Sequence, residues 1–295
     1  MFSEKRIKVI VDLMETIGNV LSVSSSLTFD DFRVDLSIRK VFSPVGPTAN
    51  IKIYGVSKEH MNTITTISLR DTITIPNKRV SVWVDSGNGY VLLFEGCIVE
   101  AIPVYQSVPD CYIQIESSVA AYENAMSPPP NSFPVSTAAT SSICRAICAS
   151  YGVACYTDPA LELDIVPTKT FGEQGLSARM AAACQAYNLS AIRTGTRYDV
   201  YKKNQVSILK NVWNFTPSNI YGYPSFANKL IKIQTDDFAD IEVLDYFRIS
   251  NSEIPFANGL WYIVMMQYRL QSRTPDGKWE ATLFGAPQRE GKLWG

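Results

Sequence analysis

Histidine is nearly absent from this 295-residue sequence: His60 is the single one. Zinc sites that mix cysteine and histidine therefore have no second imidazole to use, and Cys144-x3-Cys148 lacks the spacing and partner ligands of structural zinc. No P-loop, GxGxxG or GxSxG motif occurs, so no catalytic residue, cofactor or metal is expected. Charge is also scarce. Charged residues make up 19% of the chain, and 27 Lys and Arg stand against 28 Asp and Glu, for a net charge of −1. That balance argues against a nucleic-acid binder, which carries a basic excess or stripe. The densest basic group, KRIK at 5–8, alternates out of a strand. No apolar run approaches the roughly 20 residues needed to cross a bilayer, so membrane insertion is not expected. The N-terminal stretch SEKRIKVIVDLMETIGNV is broken by Asp12 and Glu15 and has no small-residue cleavage site, which does not fit a targeting signal. Synthesis in a cytoplasm is the default.

Six cysteines, at 97, 111, 144, 148, 155 and 184, invite a disulfide reading. A chain of this length builds a core without staples, and Cys144 and Cys148 lie one helical turn apart among small apolar neighbours. Buried, reduced thiols are the expected state.

What the chain does have is alternation. Ile7, Val9, Val11 and Leu13 share one parity; Phe32, Val34, Leu36 and Ile38 face one way, with Arg33, Asp35, Ser37 and Arg39 opposite. Residues 32–56, FRVDLSIRKVFSPVGPTANIKIYGV, thus read as a long hairpin. Ser57 reads as the N-cap of a short helix near 58–67. Val80, Val82 and Val84 run into a tight turn at DSGNG (85–89), and strands continue to about residue 120. SPPPNSFP (127–134) marks a boundary, because consecutive prolines favour an extended chain.

Beyond it the spacing predicts a helix over 137–151, a strand at LELDIV (161–166), a helix over 176–187 and a small hairpin turning at Gly195. Strands return at VSILK (206–210), KLIKIQ and IEVLDYFRIS. A second long hairpin closes the chain at 260–284, with Tyr262, Val264, Met266, Tyr268 and Leu270 on one face and a turn at Pro275-Asp276-Gly277. The expected fold class is mainly β with a small α+β module. The expected division is a first β domain at 1–126, a Pro-rich linker at 127–136, an α+β domain at 137–204 and a second β domain at 205–295.

Two features could carry chemistry. His60 lies on the short helix, where a solvated surface histidine is the plain reading. TDDFADIEVLD (235–245) gathers five acids that could serve glycoside hydrolysis, yet Asp236, Asp237 and Asp240 fall in a turn and Glu242 alternates onto a solvated face. The run also lacks the Asp-x-Asp-x-Asp-Gly calcium loop. The alternatives these features keep open are a cell-wall hydrolase, acting through the acids or a Cys–His pair, and a carbohydrate-binding β module using exposed Trp and Tyr in the 211–226 loop.

The stretch LTFDDFRVDLSIRKVFSPVGPTANIKIYGVS (27–57) resembles the start of baseplate hub proteins of bacteriophage tails. In that family an alternating strand leads to an Asn, then to a second strand ending in a corner like Tyr-Asn-Leu-Ser. Here these are Asn50, IKIY at 51–54 and GVS at 55–57, with Gly55 in place of the usual Asn and Val56 in place of Leu. LLFEGCIVEA looks like the following strand, with Phe94 and Gly96 in the familiar places. The closing hairpin is similar through Gly259, Trp261, Ile263, Ser272, Arg273, Gly277 and Trp279.

The resemblance implies two tube-like β domains per chain and a homotrimer that joins the sixfold tail tube to the threefold central spike. Three chains then supply six similar units around a channel. Implied partners are the tail tube protein, the central spike protein and other baseplate or tape-measure proteins, with DNA only passing through the channel. The implied location is the virion tail, assembled in the host cytoplasm. Type VI secretion spike hubs share the plan but usually continue into a needle domain, which is not expected here.

Overall fold

The computed structural model describes residues 5–17, 20–66, 78–85, 87, 89–105, 110–126, 128–203, 211–238 and 240–287. The fold is mainly β, as the alternation requires, and the chain divides into two compact units. The first comprises 1–39, 47–125 and 267–280; the second comprises 40–46, 126–266 and 281–295.

The first unit contains β1 (Arg6–Ile17), β2 (Val20–Phe29), most of β3 (Val34–Val41), β4 (Thr48–Tyr54), α1 (Lys58–Ile64), β5 (Lys78–Asp85), β6 (Val91–Val104), β7 (Tyr112–Ser118) and α2 (Ala121–Ala125). Its strands pair in the order β3-β4-β7-β6-β5-β1-β2, antiparallel throughout. In β1, β3, β4 and β5 one parity is buried: Ile7, Val9 and Val11 in β1, Val34, Leu36 and Ile38 in β3, Ile51 and Ile53 in β4, and Val80, Val82 and Val84 in β5. Each such side chain contributes about 1.5–3 kcal/mol when fully buried, which is why a one-residue slip of register is excluded. Arg33, Asp35, Ser37 and Arg39 lie on the opposite face, half-buried or exposed.

Local chemistry sets the ends. Ser57 accepts from the His60 N–H and starts α1, which buries Met61 and Ile64. Asp85 accepts from the Gly87 and Gly89 amides through one carboxylate oxygen, fixing the turn into β6. At Gly96 the backbone comes so close to β7 that an added Cβ would lie 2.8 Å from the Phe94 ring and 3.0 Å from the Ser118 backbone.

The second unit begins with the α+β module. It contains β8 (Thr137–Ala139), α3 (Thr140–Ala149), β9 (Ala154–Thr157), a 3-10 turn at Pro159–Glu162, β10 (Ile165–Pro167), α4 (Leu176–Tyr187), β11 (Leu189–Thr194) and β12 (Arg197–Lys202). β8 pairs with β10, while β11, β12 and β9 form a three-stranded sheet. Ile143, Cys144, Ile147 and Cys148 of α3 pack with Leu176 and Met180 of α4 and with Tyr198 and Val200 of β12.

Two sequence expectations are corrected here. The first helix starts at 140 because 137–139 pairs as a strand. LELDIV is a strand only from Ile165, because Asp158 caps the preceding turn by accepting from the Ala160 N–H and Pro159 presets its φ.

The proline segment is held by this module. Arg179 on α4, 2% exposed, donates to the carbonyls of Pro128, Pro129 and Glu173 and to the Asn131 side chain. A guanidinium is suited to this, since its rigid fork of donors spreads one charge over several acceptors.

The remainder of the second unit contains β13 (Val212–Phe215), β14 (Ser225–Ala227), β15 (Leu230–Thr235), β16 (Tyr246–Ile249) and most of β17 (Gly259–Ser272) and β18 (Trp279–Pro287), in the order β14-β15-β18-β17-β16-β13. The aromatic loop at 211–228 therefore carries two short strands. IEVLDYFRIS is a strand only over Tyr246–Ile249: Asp245, 3% exposed, accepts from the Glu242 N–H and from Trp213 Nε1, so its carboxylate closes a turn that competes with the strand. VSILK lies outside the described residues.

Each long hairpin contributes to both units. The tip of the first, Lys40–Gly46, belongs to the second unit. There Lys40 Nζ pairs with Glu242 Oε1 at 2.8 Å, the Phe42 N–H donates to the Val264 carbonyl, and the Tyr198 hydroxyl donates to the Pro44 carbonyl at 2.6 Å. The far end of the second hairpin, Gln267–Glu280, belongs to the first unit. There Ser272 Oγ accepts from the Val34 N–H and donates to the Phe32 carbonyl, tying the end of β17 to the start of β3.

Candidate functional site

The first unit carries a polar cleft on the outer face of β4, β3 and the end of β17. It has a volume of about 320 Å³ and is lined by Asp35, Ser37, Asn50, Lys52, Arg269, Gln271 and Lys278, with Leu36 and Leu270 in its floor. The strand parity that buries Leu36 and Leu270 turns Asp35, Ser37 and Arg269 outward. Asp35 is held from two sides: the Tyr54 hydroxyl donates to one oxygen at 2.9 Å and the Gln271 amide to the other at 3.1 Å. Burial and the Asp35 carboxylate push the Tyr54 phenol up to about 12, so it remains a donor at neutral pH. A second hollow, about 290 Å³, shares Ser37 and Asn50 and adds Arg39 and Glu116. Asn50 donates to Glu116 at 3.4 Å.

The second unit has an apolar hollow of about 470 Å³ beside the hairpin tip, lined by Phe42, Pro44, Leu189, Ala191, Tyr262 and Met265 among others. It also displays Tyr221, Tyr223, Phe226 and Phe256, which are 48%, 67%, 50% and 87% exposed.

The candidates for chemistry are dispersed. His60 is exposed on α1, with its ring edge-on to Phe29 at 6.2 Å. Asp236 accepts from the Tyr221 hydroxyl, Glu242 pairs with Lys40, and Asp245 closes its own turn, while Asp237 and Asp240 point to solvent. Among the described residues, no group of three or more His, Cys, Asp or Glu gathers as a metal site.

All six cysteines are free thiols. Burial pushes Cys97 and Cys144 up and Cys184 to about 12. A thiol–thiol hydrogen bond raises Cys148 and lowers Cys155.

The motif residues of the two hairpins have identifiable structural tasks. Gly259 adopts φ +142, a conformation side-chain-bearing residues avoid. Trp261 donates to the Ala257 carbonyl, Arg273 pairs with Asp31 at 2.7 Å, and Trp279 is buried. Sequence reasoning missed Arg179, Tyr198 and the Asp35 cleft, because each depends on partners far away in the chain.

By sequence, neither a protein-family model nor a curated protein matches the chain. Its fold is shared with solved structures. The 43 kDa tail protein of prophage MuSo2 from Shewanella oneidensis aligns over 95% of this chain and 96% of that one, with a TM-score of 0.56 at 9% identity. A tail protein from Neisseria meningitidis aligns over 96% of both chains, with a TM-score of 0.61 at 9% identity. A type VI secretion component of E. coli, described as structurally similar to the T4 bacteriophage tail proteins gp27 and gp5, aligns over 89% of this chain and 75% of its own, with a TM-score of 0.63 at 9% identity. The resemblance to tail proteins read from the two hairpins is thus matched by a likeness of fold.

Proposed function

We propose that this chain is a structural protein of a phage tail or tail-like particle, and within it the hub. In this reading it forms a homotrimer in which two tube-like β domains per chain, at 1–126 and 205–295, flank the α+β module. The trimer joins the sixfold tube to the threefold central spike, surrounds the DNA channel and works without catalysis. The observation that carries the reading is the alignment of nearly the whole chain with nearly the whole of two tail proteins. A fold match confined to one β domain would have left the plan of β block, module and β block unsupported.

A further feature supports it. The outer face of the first hairpin is polar, as a surface at a channel or chain interface requires. The test is crosslinking mass spectrometry on purified particles. Crosslinks from this chain to the tube and spike proteins are expected; its absence from particles contradicts the reading. Clearing of a cell-wall suspension by the purified protein would contradict the non-catalytic part.

A second reading, a carbohydrate-binding module, is favoured by the exposed Tyr221 and Tyr223. Glycan-array binding lost in Tyr223→Ala would support it over the hub.

A further inference from the structure

We infer that the polar cleft of the first unit is a self-docking site, taking the acidic turn at Asp236, Asp237 and Asp240 of a second copy of this chain. The inference rests on the proposed ring-forming role and names the side chains that would make the contact.

Charge is segregated on a chain that is nearly balanced as a whole, with 27 basic and 28 acidic residues. Lys52, Arg269 and Lys278 converge on one cleft of about 320 Å³, with Arg269 and Lys278 exposed. The single carboxylate in that cleft, Asp35, is already engaged by Tyr54 and Gln271 on both oxygens. The cleft therefore presents a cationic surplus and, in Arg269, a guanidinium fork suited to a carboxylate. Asp236, Asp237 and Asp240 are all exposed, and Asp236 is oriented by the Tyr221 hydroxyl.

A site on one copy that takes a different site on the next makes a head-to-tail contact, which closes into a ring when the rotation allows it. Duplex DNA suits the cleft less well. A protein with a net charge of −1 gains little from long-range attraction to phosphates, and Asp35 lies among the three cations.

The experiment measures assembly of the full chain by mass photometry across a concentration series, with tube and spike proteins present. The variants are Lys52→Glu/Arg269→Glu, Asp237→Lys/Asp240→Lys, and the combination of all four. Each pair reversal is expected to raise the assembly midpoint on the order of tenfold or more, while the combined variant, in which every contact is charge-swapped, returns toward wild type. Wild-type assembly should weaken with added salt. Circular dichroism checks that the variants fold.

Trimers unchanged by either reversal would overturn the inference and leave the hub reading standing. Loss in both pairs without recovery in the combination would also overturn it, since the two patches would then meet different partners. A wild type that remains monomeric with tube and spike present would overturn both. A fluorescent 30-base-pair duplex supplies the competing arm: binding abolished by Lys52→Glu/Arg269→Glu, with assembly intact, would assign the cleft to nucleic acid instead.

Discussion

The Tyr198 hydroxyl donates to the Pro44 carbonyl at 2.6 Å, joining a strand of the α+β module to a hairpin tip 154 residues earlier. Tyr198 is fully buried and its hydroxyl also lies 3.3 Å from Ser177 Oγ. The contact gives the first hairpin a function its own sequence does not announce: its tip is tied into the second unit. Tyr198→Phe leaves the ring in place and removes the donor. It is expected to destabilise the protein by about 1–3 kcal/mol, the range for a buried acceptor left without its partner. Chemical denaturation monitored by fluorescence measures this; an unchanged midpoint would mean the carbonyl finds another donor.

Arg179 should matter in a different way. Its guanidinium satisfies the carbonyls of Pro128 and Pro129, in a segment that Asn131 also ties to Phe171 through a bridge. Arg179→Met keeps the bulk and removes the donors, and is expected to cost about 1–3 kcal/mol, the range for buried acceptors left without a partner. Limited proteolysis should then cut within 127–134 at a higher rate. Arg179→Lys should rescue little, because an ammonium cannot reproduce the fork.

Gly96 permits the close approach of β6 to β7. Gly96→Ala places a methyl carbon against the Phe94 ring and the Ser118 backbone, and is expected to destabilise by about 1–3 kcal/mol through overpacking. Gly55→Ala serves as the control for adding a methyl in open space, although Gly55 has φ +75 and carries its own backbone penalty. Thermal melts of the two separate crowding from conformational strain.

Alkaline pH tests the Asp35 cleft. Tyr54 and Tyr90 are both raised from 10.0 to about 12, first by burial and then by hydrogen bonds to Asp35 and Asp30. Above pH 10 the unfolded chain releases these protons while the folded chain keeps them. The stability they contribute is therefore complete below pH 10 and declines as pH rises toward 12. Tyr54→Phe/Tyr90→Phe should flatten the loss over that window, and tyrosinate absorbance should show two fewer late-titrating phenols. A variant that loses stability over that window as steeply as wild type would contradict the assignment.

How legible this was depended on the range of the interactions. The parity of Val34, Leu36 and Ile38 was plain, because a pleated strand with one wet face leaves a two-residue signature. α4 ran over 176–187 as its spacing indicated, and Asn188 ended it in the left-handed conformation. IEVLDYFRIS misled because Ile241, Val243 and Leu244 are buried as they would be in a strand, while the Asp245 carboxylate folds that stretch into a turn. LELDIV misled similarly, through Asp158 and Pro159 just upstream. The cleft was invisible because Asp35, Lys52 and Arg269 are distant in sequence and meet only once β4, β3 and β17 align.

The most direct test of the hub reading is a cryo-electron microscopy reconstruction of this protein assembled with its tube and spike proteins. The account predicts three copies in a closed ring around a channel, with the outer faces of β3 and β4 exposed to solvent or buried at a chain interface. A ring with a different number of copies, or a chain bound singly at the particle's edge, would contradict it.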